Sequence, residues 1–349
     1  MTTFGFSLST EELAPAKLLE TARVAEDHGF EYLLISDHYH PWIDAQGEGS
    51  FVWSVIGGIA ATTDKIRLGT AVTCPTIRIH PAIIAQAAAT AEVMMPGRFF
   101  LGVGTGENLN EHILGDRWPE IEVRLEMLEE AIDVMRTLWS GGYQSYYGNY
   151  YVVENARIYT LPDSPPEIIV AASGPRSGEL AASVGDGLMK HLSECGSRRQ
   201  FDEQGSGNRP KYLQLKVCYG DDEAKARSLA HKLWPTVAMP GQIGETATPL
   251  LFENIAELVT EDQVAEMIVC GADEQRHWRT SSRPSTRGFD HIAIARSDEQ
   301  EQASASMRNE SCRISGSVVG SRRAGQYGQM VENFRSDFER PCCKASSLC

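Results

Sequence analysis

The chain has 349 residues and a formal net charge of −15, long enough for one large α/β barrel or two ordinary domains. The acid excess disfavours a nucleic-acid partner, because phosphate contacts need clustered Lys and Arg, and no apolar run approaches the length of a membrane span. Glu11 and Glu12 come early with no apolar segment before them, so the start does not read as a signal peptide and a soluble cytoplasmic protein is expected.

The charge is unevenly spread: the acid excess lies before residue 278 and the remainder is net basic. An acidic surface with few Lys fits a protein solvated in concentrated salt, so a halophilic character is expected. Cys74, Cys195, Cys218 and Cys270 are far apart without His at zinc spacing, and Cys312, Cys342, Cys343 and Cys349 lie in the tail. This is no metal pattern, and free thiols are expected.

Residues 4–8 alternate as a first strand, and 11–28 have helical spacing that Gly29 stops. Residues 32–35 are a second strand, 51–62 an apolar helix, 66–72 a third strand and 81–94 an Ala-rich helix. After the Pro96-Gly97 turn, 99–103 form a fourth strand that runs into Gly104-Thr105-Gly106-Glu107. A helix over 120–139 leads to a Tyr- and Gly-rich stretch up to 159 that suits a hairpin. Further strands are predicted at 167–172, 187–190, 212–219 and 289–295, with helices up to 184, over 221–233 and over 260–266. Eight strands alternating with helices predict a TIM (β/α)8 barrel rather than an open sheet.

The C-terminal part breaks this pattern. Residues 276–287 sit where a helix should precede the last strand, yet they have no apolar face and contain Pro284. Beyond 295 the chain is rich in Ser, Arg, Gly and Cys, and 304–326 is expected to be poorly ordered. The expected organisation is a barrel domain over 1–295 and an atypical tail over 296–349. Such an ending resembles a shifted reading frame or a fusion, and it would expose the closing edge of the barrel.

Ligands bind at the carboxyl ends of barrel strands. There the second strand delivers Asp37, His38, His40 and Trp42. A neutral His38 can accept an alcohol proton as hydride leaves carbon. Asp37 can bond a cofactor, orient His38 or simply cap the turn. Trp42 can cover a substrate or just pack, and His40 lines the entrance. After the fourth strand, Glu107 can donate a proton and Asn110 can contact a cofactor, while Thr105 and Gly106 allow close approach. Ala71, Val72 and Thr73 after the third strand, and Ala172, Ser173 and Gly174 after the fifth, are small-residue turns that admit a ring or phosphate.

Residues 36–42, 69–75, 102–111 and 171–175 together resemble the luciferase-like superfamily, and within it the coenzyme F420-dependent glucose-6-phosphate dehydrogenase group. The resemblance covers about residues 3–275 and returns at 288–294. It implies a barrel that binds the deazaflavin F420 at its strand ends, usually as a homodimer. It also implies His38 as base, Glu107 as acid, Trp42 as stabiliser of the reacting state, Asp37 and Asn110 as cofactor contacts, and a cis Ala71–Val72 peptide. The departures are acid at Glu194, where a phosphate-holding Lys is expected, and no Lys over 252–266. An uncharged alcohol or ketone is therefore expected instead of a sugar phosphate. The alternatives are an FMN-dependent monooxygenase of the same superfamily and a non-catalytic flavin-type binding paralogue.

Overall fold

The computed structural model describes residues 2–191, 196–239, 243–273, 276 and 288–297. In chain order these form β1 (Thr3–Leu8), α1 (Pro15–Asp27), β2 (Tyr32–Ile35), α2 (Val52–Thr62), β3 (Arg67–Thr70), α3 (Pro81–Met94) and β4 (Phe99–Val103). Then come α4 (Asn108–Glu111), α5 (Ile121–Trp139), the hairpin β5 (Gln144–Tyr147) and β6 (Val152–Ala156), β7 (Glu167–Ala171), α6 (Pro175–Val184) and β8 (Gly187–His191). The rest is α7 (Gly196–Phe201), β9 (Lys211–Cys218), α8 (Glu223–Leu233), α9 (Pro249–Ala256), α10 (Glu261–Met267), β10 (Val269–Cys270) and β11 (His291–Ser297).

Among the described residues, β1-β2-β3-β4-β7-β8-β9-β11 pair in parallel in that order. The ring closes because β11 pairs on one side with β1, from Thr3–His291 to Ser7–Ala295, and on the other with β9. This is the (β/α)8 barrel expected from the alternation of elements. Both faces of such strands are buried, which is why Tyr32–Ile35 reads as one apolar run.

Alternate residues point into the barrel. Tyr32, Leu34, Phe100, Ile169, Met189, Tyr212 and Ala293 fill its interior. Room for the rings comes from two glycines. A Cβ on Gly5 would lie 2.4 Å from the Tyr32 ring, and one on Gly69 would lie 2.0 Å from the Phe100 ring. The outward residues of β1–β8 join α1, α2, α3 and α5 in the main apolar layer. The interior is thus filled by side chains, with polar groups at the strand-end mouth and at the opposite end, where Arg67 reaches Tyr212 Oη at 3.4 Å and His291 stacks on the Tyr212 ring.

Several boundaries differ from expectation. α1 starts at Pro15, not residue 11, because proline's fixed φ suits the first helical position. Glu11 and Glu12 are thereby left in the turn over the mouth. β3 ends at Thr70, ahead of the cis Ala71–Val72 peptide. α4, α7, α9 and β10 are additional to the expected elements. The expected exposed closing edge is not found: β11 is paired on both sides. Apart from Arg276, which bonds Glu223 at 2.6 Å, the irregular stretch 276–287 lies outside the described residues, as does the tail from 298 onward.

Candidate active site

The turn after β2 and the short helix after β4 meet over the mouth. Asn110 joins them: its Oδ1 accepts from the backbone N–H of Tyr39 (2.9 Å) and His40 (3.2 Å). Its Nδ2 lies 3.1 Å from His38 Nδ1 and 3.5 Å from Glu107 Oε2. His40 Nδ1 bonds the Leu109 carbonyl at 2.9 Å, a second tie between the same loops. His38, Trp42, Glu107 and Asn110, expected to act together, are therefore brought together.

His38 Nδ1 is 3.2 Å from the His40 carbonyl, and Nε2 is 3.6 Å from Glu11 Oε1. Nδ1 faces that acceptor and, at 3.1 Å, the Asn110 Nδ2 donor, so in one tautomer the proton is on Nδ1 and Nε2 can accept a proton, and in the other it is on Nε2 toward Glu11. Glu11 is the anion waiting for the resulting imidazolium. Burial pushes its carboxyl upward, but His38 and the Ser36 hydroxyl oppose this, and the net result is below the usual range. The Trp42 ring packs 5.0 Å from His38 and edge-on to Phe252 at 5.3 Å. It forms an apolar wall beside the base.

Asp37 does not orient His38. It is buried, and its two oxygens are taken by Arg78 Nη2 (2.8 Å) and Thr73 Oγ1 (2.8 Å). Arg78 also holds Glu111, through its backbone N–H at 2.8 Å and Nε at 3.5 Å. One arginine thus ties together the turns after β2, β3 and β4 behind the mouth. Burial pushes Glu111 up to about 7, against the pull of Arg78.

This gives a pH prediction. An exposed glutamate releases its proton near 4.5, whereas folded Glu111 keeps it to about 7. Its contribution to stability is therefore fully present below about pH 4.5 and is lost as the pH rises through about 7. Glu111→Gln, fixed in the neutral form, should gain stability relative to the parent across that window. Denaturant unfolding at a series of pH values checks this; a constant difference between the two would refute it.

Across the mouth, β3, β4 and β7 end in small residues. Gly106 has φ +75°, and a Cβ there would lie 2.5 Å from Cys74 Sγ. A Cβ on Gly104 would lie 2.7 Å from Val72 Cγ2. Ala71, Val72, Thr105 and Gly106 are half-buried, Ala172 is buried, Ser173 is exposed and Gly174 is half-buried. Ser173 and Gly174 open α6, away from the His38 cluster. Small residues at these three strand ends leave backbone open to close approach. Cys74, Cys218 and Cys270 are buried.

Sequence reasoning missed Glu11, Glu12, Arg78, Glu111, His191 and Lys216 as members of this region. The rule that strand carboxyl ends carry function applies equally to β1, and it would have found Glu11 and Glu12 had the helix not been started too early. Arg78 has no such signal, because its partners are 41 and 33 residues away in sequence.

The family described as luciferase-like monooxygenase matches residues 1–279. The chain is 33% identical over 309 residues to the F420-dependent glucose-6-phosphate dehydrogenase of Nakamurella multipartita, covering 83% of this chain and 89% of that one. It is 36% identical over 282 residues to the F420-dependent hydroxymycolic acid dehydrogenase of Mycobacterium tuberculosis, covering 78% and 77%. Among solved structures it is similar to an F420-dependent secondary alcohol dehydrogenase in complex with an F420–acetone adduct. There the TM-score is 0.80 at 29% identity, with 85% and 94% of the chains covered.

Proposed function

The chain belongs to the luciferase-like monooxygenase family, and on that footing we propose that it is a coenzyme F420-dependent oxidoreductase acting on an uncharged alcohol or the matching carbonyl. The observation that carries this reading is the convergence of His38, Glu107 and the small-residue ends of β3, β4 and β7 on one mouth. Relatives named as F420-dependent dehydrogenases support it.

Bound F420 supplies a ring carbon that takes or gives a hydride. The residues for holding it are Ala71, Val72, Thr73, Thr105, Gly106, Ala172, Ser173 and Gly174, with Asn110 at the edge. Asp37 acts one layer further back, through Thr73 and Arg78. His38 Nε2 removes the hydroxyl proton of the alcohol, and Glu11 stabilises the imidazolium. Glu107 holds the proton needed on the cofactor side. Trp42 and Phe252 exclude water next to the reacting carbon. The contribution of the chain is position and electrostatics.

The charges in the mouth support an uncharged substrate. By alternation β8 directs His191 into the mouth and Lys190 toward the helices. His191 is exposed at the rim of the mouth, and desolvation followed by Lys216 lowers it to about 4, so it is neutral at pH 7. Burial also lowers Lys216 to about 7, against Glu12 and Glu11. Neither offers the firm positive charge that a phosphate dianion needs.

Fluorescence titration with F420 and, separately, FMN tests the cofactor, in low and in molar salt. Tight binding of F420 alone is expected. Initial rates should then favour a short secondary alcohol over glucose 6-phosphate. Preferred FMN binding with oxygen consumption would replace this reading by the monooxygenase.

A further inference from the structure

The hairpin β5–β6 lies outside the barrel ring, yet a side chain from its loop reaches the turn after β3. Glu130 on α5 fixes that loop. Its carboxylate accepts from the backbone N–H groups of Asn149 (2.9 Å), Tyr150 (2.9 Å) and Tyr151 (2.8 Å). A Cβ on Gly148 would lie 1.8 Å from Glu130 Oε1, so glycine is what lets the loop close on the acid. Tyr151 is buried, and its ring sits edge-on to His80 at 5.4 Å. Its hydroxyl donates to the Thr76 carbonyl at 2.9 Å.

Thr76 belongs to the same turn as Ala71, Val72 and Thr73. Both ends of this turn are held by groups already described. The Thr73 hydroxyl donates to Asp37 and its backbone N–H to the Gly102 carbonyl at 2.9 Å, while Arg78 holds Asp37 and Glu111. The middle is pinned by a separate line of contacts. Tyr151 holds the Thr76 carbonyl, and Thr76 Oγ1 lies 3.0 Å from Cys74 Sγ. Cys74 in turn packs so closely on Gly106 that a Cβ there would lie 2.5 Å from the sulfur. The line runs from the hairpin to the segment after β4 that borders the mouth.

We propose that Tyr151 is a positioning residue for the cofactor: its hydroxyl keeps residues 74–76 seated against Gly106, so that the turns after β3 and β4 stand in place before F420 arrives. This rests on the reading of that mouth as the F420 site. A buried carbonyl that loses its donor moves toward water. Without the hydroxyl the turn spends part of its time open, and ligand affinity falls with the fraction that stays closed.

The test is Tyr151→Phe, which removes the hydroxyl and leaves the ring against His80. Two readouts apply. The first is labelling by iodoacetamide in the protein without cofactor, with peptide mass spectrometry following Cys74, Cys218 and Cys270 separately. All three are buried, and of them only Cys74 lies in the pinned turn. Its labelling should become roughly two- to tenfold faster, the size of one neutral hydrogen bond, with the other two unchanged. The second readout is fluorescence titration with F420. The Kd should rise by a similar factor, while kcat at saturating F420 changes much less.

Selective labelling of Cys74 together with weaker F420 binding supports the proposal. Equal acceleration at all three cysteines means that the hydroxyl only stabilises the fold, and overturns it. So does an unchanged Cys74 rate, or an unchanged Kd in a variant whose Cys74 labels faster. If the parent binds no F420, the cofactor reading is what fails. The labelling still decides whether Tyr151 holds the turn.

Discussion

Replacing His38 with Ala should lower alcohol oxidation by a factor on the order of 10²–10⁴ while leaving cofactor affinity nearly unchanged. The size follows from what the imidazole does. Its Nε2 lies 3.6 Å from Glu11 Oε1, and its other nitrogen lies 3.2 Å from the His40 carbonyl and 3.1 Å from Asn110 Nδ2. The small effect on binding follows from what remains. Asn110 keeps its two backbone donors from Tyr39 and His40, and Glu11 keeps hydroxyl donors from Ser9 and Ser36. The small-residue ends of β3, β4 and β7 are not touched. Fluorescence titration with F420 and steady-state rates on one protein sample separate the two effects. A variant that binds F420 poorly but turns over normally once saturated would make His38 a binding group and not the base.

The barrel was legible because its signal is local and repeated. Short apolar runs alternate with helices, and each of the eight barrel strands lies within a residue or two of its expected place. The residues quoted for the family resemblance were legible for the same reason: each falls in a short contiguous segment at a strand end. Geometry between segments was not legible. For Asp37 the sequence suggests a cofactor, His38 or the following turn as partner, yet Arg78 and Thr73 take it, because the turns after β2 and β3 fold onto each other. Glu11 was absorbed into a helix by its spacing. The decisive feature there was Pro15, whose preference for the first helical position outweighs periodicity at a helix start. The small helices α7 and α9 lack the length over which periodicity can be counted.

Arg78→Met should cost about 3–5 kcal/mol of stability at pH 8 and clearly less at pH 5. The Arg78 side chain is 6% exposed, and those of its partners Asp37 and Glu111 are each 1% exposed. Removing the guanidinium leaves two buried carboxyls with one donor each, the Thr73 hydroxyl on Asp37 and the backbone N–H of residue 78 on Glu111. Buried carboxyls without a cation escape by taking up protons. Glu111 already titrates near 7 with Arg78 present, so without it the acid is neutral over a wider range and carries less of the cost as the pH falls. Asp37, buried and left with the Thr73 hydroxyl, adds its own share of the cost. The loss is also functional, because Arg78 is the group that ties the β2, β3 and β4 turns together. His38, Thr73 and Glu107 depend on those turns for their mutual placement, so F420 affinity should fall together with stability. Unfolding curves at pH 5 and pH 8, paired with F420 titration at each, test both statements. An equal cost at the two pH values would mean that the carboxyls relax into solvent and that Arg78 fills space without balancing charge.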